Sequence, residues 1–130
     1  VTRKISSDTR WEPVVGYSRA VAAGDFVFVS GCTSVIGAEF AHAGDAYAQT
    51  VQAISNISAA LEGLGASLAD VVRTRIYVTD ISRWEEFGRA HGAAFDDIRP
   101  ASAMIEVSAL VDPRMLVEVE AVAYHPGIGT

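Results

Sequence analysis

A glutamate in the middle of an apolar strand is the residue of this 130-residue chain whose setting most suits acid–base chemistry. From Met115 onward the side chains alternate. Met115, Val117, Val119, Ala121 and Ala123 fall on one face, and Leu116, Glu118, Glu120 and Val122 on the other. Both faces are largely apolar, which a sheet surface open to water would not be. Glu118 and Glu120 are therefore expected beneath a covering layer such as a neighbouring subunit. A desolvated carboxylate needs a partner or a task. Arg73 or Arg75 across the sheet could be the partner of Glu118, and general acid–base work on a small molecule could be the task. Glu120 and Glu106, the latter on the neighbouring strand, read as members of interfacial salt bridges.

The remaining reactive side chains offer less. Cys32 is the one cysteine, so an internal disulfide is excluded; it has no nearby base to activate it, and no zinc-ligand spacing is present. His91 falls on the apolar stripe of a helix, while His42 and His125 lie in a loop and in the tail. The glycines from Gly37 to Gly44 lack phosphate-loop or dinucleotide spacing. Neither a metal nor a cofactor is implied. A net charge of −6 with ten scattered basic residues argues against a nucleic-acid surface, and Trp11 and Trp84 read as packing residues.

Several elements must position these groups. Asp25 to Ser30 reads as a central strand paired with one around Tyr17 to Ala22, and Cys32 to Gly44 as a loop. A first helix from Asp45 carries a stripe of Tyr47, Val51, Ile54, Ser58 and Leu61, with Gln49 largely off it. A strand from Val71 to Val78 puts Val72, Thr74, Ile76 and Val78 on one face and Arg73, Arg75 and Tyr77 on the other. A second helix follows, with capping-box spacing at Ser82 and Glu85, and ends at the Arg99-Pro100 break. Two closing strands, about Ala103 to Leu110 and Met115 to Tyr124, are expected to form a hairpin across Val111 to Arg114. The order β, β, α, β, α, β, β suits an α+β fold, a mixed sheet with both helices on one face. The length and apolar content fit a single domain over residues 1–130. The absence of a spanning apolar run and of a secretory pattern in VTRKISSDTRWEP makes the cytoplasm the expected compartment, with no membrane partner.

Gly16-Tyr17, VFVSG from Val27 to Gly31, DVVRTRIYVTDI from Asp70 to Ile81, Arg99-Pro100-Ala101 and the tail Leu116 to Ala121 together resemble the Rid (YjgF) family, across nearly the whole chain. The resemblance implies a chorismate mutase-like fold and a homotrimer, whose sheets pack into a central β-barrel with three clefts between subunits. It also implies a small-molecule metabolite as ligand and, in the enzymatic branch, hydrolysis of reactive enamines and imines such as 2-aminoacrylate to a keto acid and ammonia. By motif position Glu118 matches the water-activating glutamate, Tyr17 the cleft tyrosine, and Ser30, followed by Gly31, the serine at the strand end.

The departures bear on the substrate. Ser102 stands where the deaminase branch carries the arginine that binds the substrate carboxylate bidentately. Met104 replaces a frequent cysteine, and Gly88 a frequent asparagine. Loss of the bidentate pair would remove on the order of 2 to 5 kcal/mol of carboxylate binding. Arg99 is the candidate replacement cation. The expectation is an enamine or imine hydrolase whose substrate differs from the usual 2-imino acids. The alternative is a non-catalytic trimer binding a metabolite or a protein. Ribonuclease or translation inhibition, labels attached to parts of this family, would need a basic groove or a His pair that the sequence does not show.

Overall fold

The structure is a computed structural model and describes residues 2–130. Its strands are β1 (Arg3–Ile5), β2 (Ala20–Ala23), β3 (Phe26–Cys32), β4 (Val35–Ile36), β5 (Glu39–Phe40), β6 (Val71–Val78), β7 (Ala101–Glu106) and β8 (Val117–Tyr124). The helices are α1 (Trp11–Val15), α2 (Ala46–Leu64) and α3 (Trp84–Phe95). Six strands form one mixed sheet in the order β1-β2-β3-β8-β6-β7, in which only the β6–β7 pair is parallel. The period-2 pattern of β8 behaves as the sequence dictates. Val117, Val119, Ala121 and Ala123 are buried with Val27, Val29 and Ile76 in the core beneath α2 and α3, while Glu118, Glu120 and Val122 face the other way.

That second face lies away from α2 and α3. Phe26, Phe28, Ile105 and Tyr124 on it are 41–50% exposed, beside Arg73, Arg75 and Tyr77 of β6. Arg73 Nε, although shielded from solvent, has no hydrogen-bond partner among the described residues.

Several local expectations are corrected. β7 and β8 are not a hairpin: β7 pairs parallel with β6 on its outer side, and β8 inserts between β6 and β3. The apolar face of β8 needs neighbours on both sides, which a terminal hairpin would not provide. Val72 leaves the inner face because a register shift between Val71 and Arg73 turns it outward, 45% exposed. On α2 the buried side centres on Ala46, Thr50, Ala53, Ile57 and Leu61, leaving Tyr47 and Val51 exposed. Gln49 joins the buried side because its amide is fully bonded. It donates to the carbonyls of His42 and Arg114 (both 3.1 Å) and accepts from the Leu116 N–H (2.9 Å). Asp80 takes the capping role before α3 by accepting from the N–H of Ser82 (3.0 Å). The stretch after Cys32 holds the two-stranded β4–β5 ladder, and β1 and α1 add an N-terminal arm that periodicity is too short to reveal.

Candidate active site

The site is built on an irregularity in β3. The β3–β8 register runs from Phe26/Tyr124 to Val29/Ala121 and resumes at Cys32/Val119, so Ser30 and Gly31 share the space opposite Glu120. Such a bulge bends the strand and redirects side chains. It brings the Gly31 backbone onto the Glu118 carboxylate. A β-carbon at Gly31 would stand 2.7 Å from Glu118 Cδ, so only glycine leaves that carboxylate in place. Beside it opens a cavity of about 730 Å³, lined by Glu118, Gly31 and Ser30 from the sheet, Tyr17 and Arg19 from the segment before β2, and Trp11 from α1.

The N-terminal arm fixes this wall. Gly16, at φ 89°, ends α1, and its N–H returns to the Glu12 carbonyl (2.8 Å), which turns the chain so that Tyr17 and Arg19 follow at once. Arg19 and Glu12, 6% and 5% exposed, form a buried ion pair at 3.5 Å. Glu12 also accepts from the Ser7 N–H (3.1 Å), the Ser7 hydroxyl and the Thr9 hydroxyl (2.8 Å). Burial alone would favour its neutral form. The Ser7 and Thr9 bonds and the Arg19 charge outweigh this and hold it below the ordinary glutamate value. Arg19 Nη1 donates to the carbonyls of Ser30 (3.2 Å) and Gly31 (2.7 Å), tying the bulge to the arm. The Tyr17 ring lies 5.5 Å from the guanidinium, and its hydroxyl accepts from Nη2 (3.4 Å). Cys32, pushed up to about 11 by burial, remains a thiol beside this network.

Glu118 sits in the opposite situation. None of the hydrogen bonds or ion pairs of the described residues involves its carboxylate, and burial, reinforced by the charge of Glu120, pushes it above the ordinary glutamate value against the pull of Arg19. The expected pairing of an acid with Arg75 falls to Glu120, which accepts from Arg75 Nη1 (3.2 Å) and from the Tyr77 hydroxyl (2.8 Å). Glu106 accepts from the N–H of Ile81 (2.9 Å). A carboxylate that is half-buried, unpartnered and raised above the ordinary glutamate value is a better proton acceptor than a free one and can return the proton it takes.

Of the residues singled out from the sequence, Glu118, Tyr17, Ser30 and Gly31 meet on this cavity. The Ser30 hydroxyl is engaged with the Ser18 carbonyl (2.7 Å). Arg99, Ser102 and Met104 do not line it. Arg99, at φ 52°, bends back onto Asp96, bonding its carbonyl and carboxylate (both 2.9 Å) with a side chain 80% exposed. The exposed Ser102 hydroxyl accepts from Thr74 (2.8 Å), which is bonded in turn to His91 Nε2 (2.8 Å), and Met104 packs partly buried against the core. Burial pushes His91 below its ordinary value. Glu12 and Arg19 escaped the sequence reading. Two opposite charges seven residues apart flanking Gly16-Tyr17 were the available signal, but nothing local shows that both are buried. Among the described residues no three His, Cys, Asp or Glu side chains gather as metal ligands would, and no helix is long and apolar enough to cross a membrane.

Sheet, helices and cavity together define a small α+β protein with a carboxylate set against a bulged strand at the wall of an open cavity. The family model described as endoribonuclease L-PSP matches residues 7–125. The crystal structure of Rv2704 from Mycobacterium tuberculosis, a member of the YjgF/YER057c/UK114 family, superposes with a TM-score of 0.86 at 51% identity, covering 95% of this chain and 99% of that one. Protein SCO2049 of Streptomyces coelicolor is 36% identical over 126 residues, 97% of this chain and 94% of its own length. The RutC family protein PYRAB12510 of Pyrococcus abyssi is 37% identical over 115 residues, 87% and 89% of the two lengths. The chain belongs to the YjgF/RutC family, also called Rid.

Proposed function

We propose that residues 1–130 form one Rid-like domain that assembles as a homotrimer and hydrolyses a reactive enamine or imine to a carbonyl compound and ammonia, with Glu118 activating the water. The observation that carries this reading is the unpartnered, raised Glu118 carboxylate held against Gly31 in an open cavity. Water adds to the C=N carbon as Glu118 takes its proton. Returned to nitrogen, that proton gives a carbinolamine, whose hydroxyl proton moves to nitrogen as the C–N bond breaks to leave a carbonyl compound and ammonia; an enamine enters by first gaining a proton on carbon and losing one from nitrogen. Tyr17 and the Ser30–Gly31 backbone orient the substrate.

The open sheet face supports assembly, because its exposed aromatics need cover and the shielded Arg73 Nε lacks a partner among the described residues. Since Arg99, Ser102 and Met104 do not reach the cavity of their own chain, they could contribute only to a neighbour's cleft. The RNA cleavage suggested by the family description is disfavoured: the cavity lining carries three carboxylates, Asp8, Glu118 and Glu120, which repel phosphate.

The test is ammonia and pyruvate release from 2-aminoacrylate generated in situ, with wild type, Glu118→Gln and Ser102→Arg. Activity gained in Ser102→Arg, or wild-type activity lost in Glu118→Gln, supports the hydrolase. Inactivity of all three, on 2-aminoacrylate and on an imine without a carboxylate, sinks it in favour of a ligand-binding trimer.

A further inference from the structure

The charges of the cavity narrow its ligand further than the missing arginine does. Asp8, Glu118 and Glu120 line it, and the one cation lining it among the described residues is Arg19. That cation is committed. Nε donates to the Ser7 hydroxyl (3.3 Å), Nη1 to the carbonyls of Ser30 (3.2 Å) and Gly31 (2.7 Å), and Nη2 to Glu12 (3.5 Å) and the Tyr17 hydroxyl (3.4 Å). Turning it toward a ligand would strand the buried Glu12 and break bonds made out of water. Glu120 already has Arg75 and Tyr77, so Asp8 and Glu118 are the lining acids without an ion-pair partner among the described residues; Asp8 is exposed to water, and Glu118 is the half-buried one. The rings of Trp11 and Tyr17 line the same space, and each already holds an arginine over its face, Arg10 on Trp11 (5.2 Å) and Arg19 on Tyr17 (5.5 Å).

We infer that this cavity selects a cationic ligand, an iminium or amidinium-like C=N group without a carboxylate, whose positive nitrogen sits against Glu118. Binding of this kind stands on the cavity itself; that the ligand is turned over rests on the hydrolase reading above. The ligand supplies the charge that Glu118 lacks, and an iminium is also the more electrophilic form of the C=N carbon. In balance, one iminium cation and one water give one neutral carbonyl compound and one ammonium ion. The C–O bond forms as Glu118 takes a proton from water, and Glu118 returns that proton to nitrogen. The C–N bond then breaks, and the proton left on the carbonyl oxygen passes to the departing ammonia.

Benzamidinium, benzamide and benzoate share a shape and differ in charge, so titration calorimetry of the full chain with each at neutral pH reads the selection directly. Wild type is expected to bind benzamidinium at least about tenfold more tightly than benzoate, and Glu118→Gln, checked for a cooperative melting transition no lower than that of wild type, to abolish that preference. Benzoate binding as tightly as benzamidinium, an unchanged preference in Glu118→Gln, or no binding of benzamidinium overturns the inference. A protein that prefers benzamidinium yet turns nothing over would sink the hydrolase and leave this inference standing. One that hydrolyses 2-aminoacrylate yet prefers benzoate would do the reverse.

Discussion

Glu12 on the N-terminal arm and Glu118 at the sheet centre are carboxylates lining or bordering the same cavity, and the protein treats them in opposite ways. Glu12 is more deeply buried but meets Ser7, Thr9 and Arg19, which stabilise its charge. Glu118 is partly exposed to the cavity and meets the backbone of Gly31 and the like charge of Glu120. Burial acts on both in the same direction, so the donors around each decide the outcome. One acid is spent on structure, and the other is left available for chemistry.

The largest way to break this contrast is to remove the structural acid. Glu12→Ala leaves Arg19 buried without its charge partner and is expected to destabilise the fold by about 3 to 5 kcal/mol in chemical denaturation. Replacing both members, as Glu12→Gln with Arg19→Met, should cost less than the two single changes summed, because neither charge is then stranded. Gly31→Ala attacks the other acid. Its new methyl meets the movable end of Glu118, so the melting temperature should change little while turnover falls on the order of a hundredfold. A catalytically unaffected Gly31→Ala would show that the position of Glu118 does not matter.

The pH dependences sharpen the comparison because their signs differ. Glu12, lowered in the folded state, contributes stability that is present above the ordinary glutamate value and lost as pH falls through its folded value. Glu118, raised in the folded state, contributes stability that is full below the ordinary value and lost as pH rises through its folded value. Glu118→Gln should therefore be slightly more stable than wild type near pH 7, by less than about 1 kcal/mol given its exposure to the cavity, with the gap closing in acid. Glu12→Gln should lose stability near pH 7, and its deficit should shrink in acid. Denaturation midpoints measured between pH 3 and pH 8 check both signs.

Legibility in the sequence followed the range of the signal. The alternation of β8 is local, and it placed Glu118 on the face away from the helices. The alternation from Val71 to Val78 put β6 in the right place, yet the bulge that turns Val72 outward depends on pairing with β8 and left no mark in the residues themselves. The hairpin expectation failed for a related reason. Val111 to Arg114 has turn chemistry, but whether β7 joins β8 or the far side of β6 is decided by which strand can bury the apolar face of β8. Gln49 reads as a surface residue by type, and only its three bonds to distant loops put it in the core.

By itself the sequence determined the longer strands and helices, because side-chain period and turn chemistry act over a few residues, and its motifs carried the family resemblance that pointed to Tyr17, Ser30, Gly31 and Glu118. The tertiary structure decided the rest. It chose the strand order, the bulge that presses Gly31 against Glu118, the pairing of Arg75 with Glu120 and the burial of Glu12 with Arg19. Each of these depends on groups distant in sequence competing for the same partners, and the desolvation that raises Glu118 exists only once the chain has closed around it.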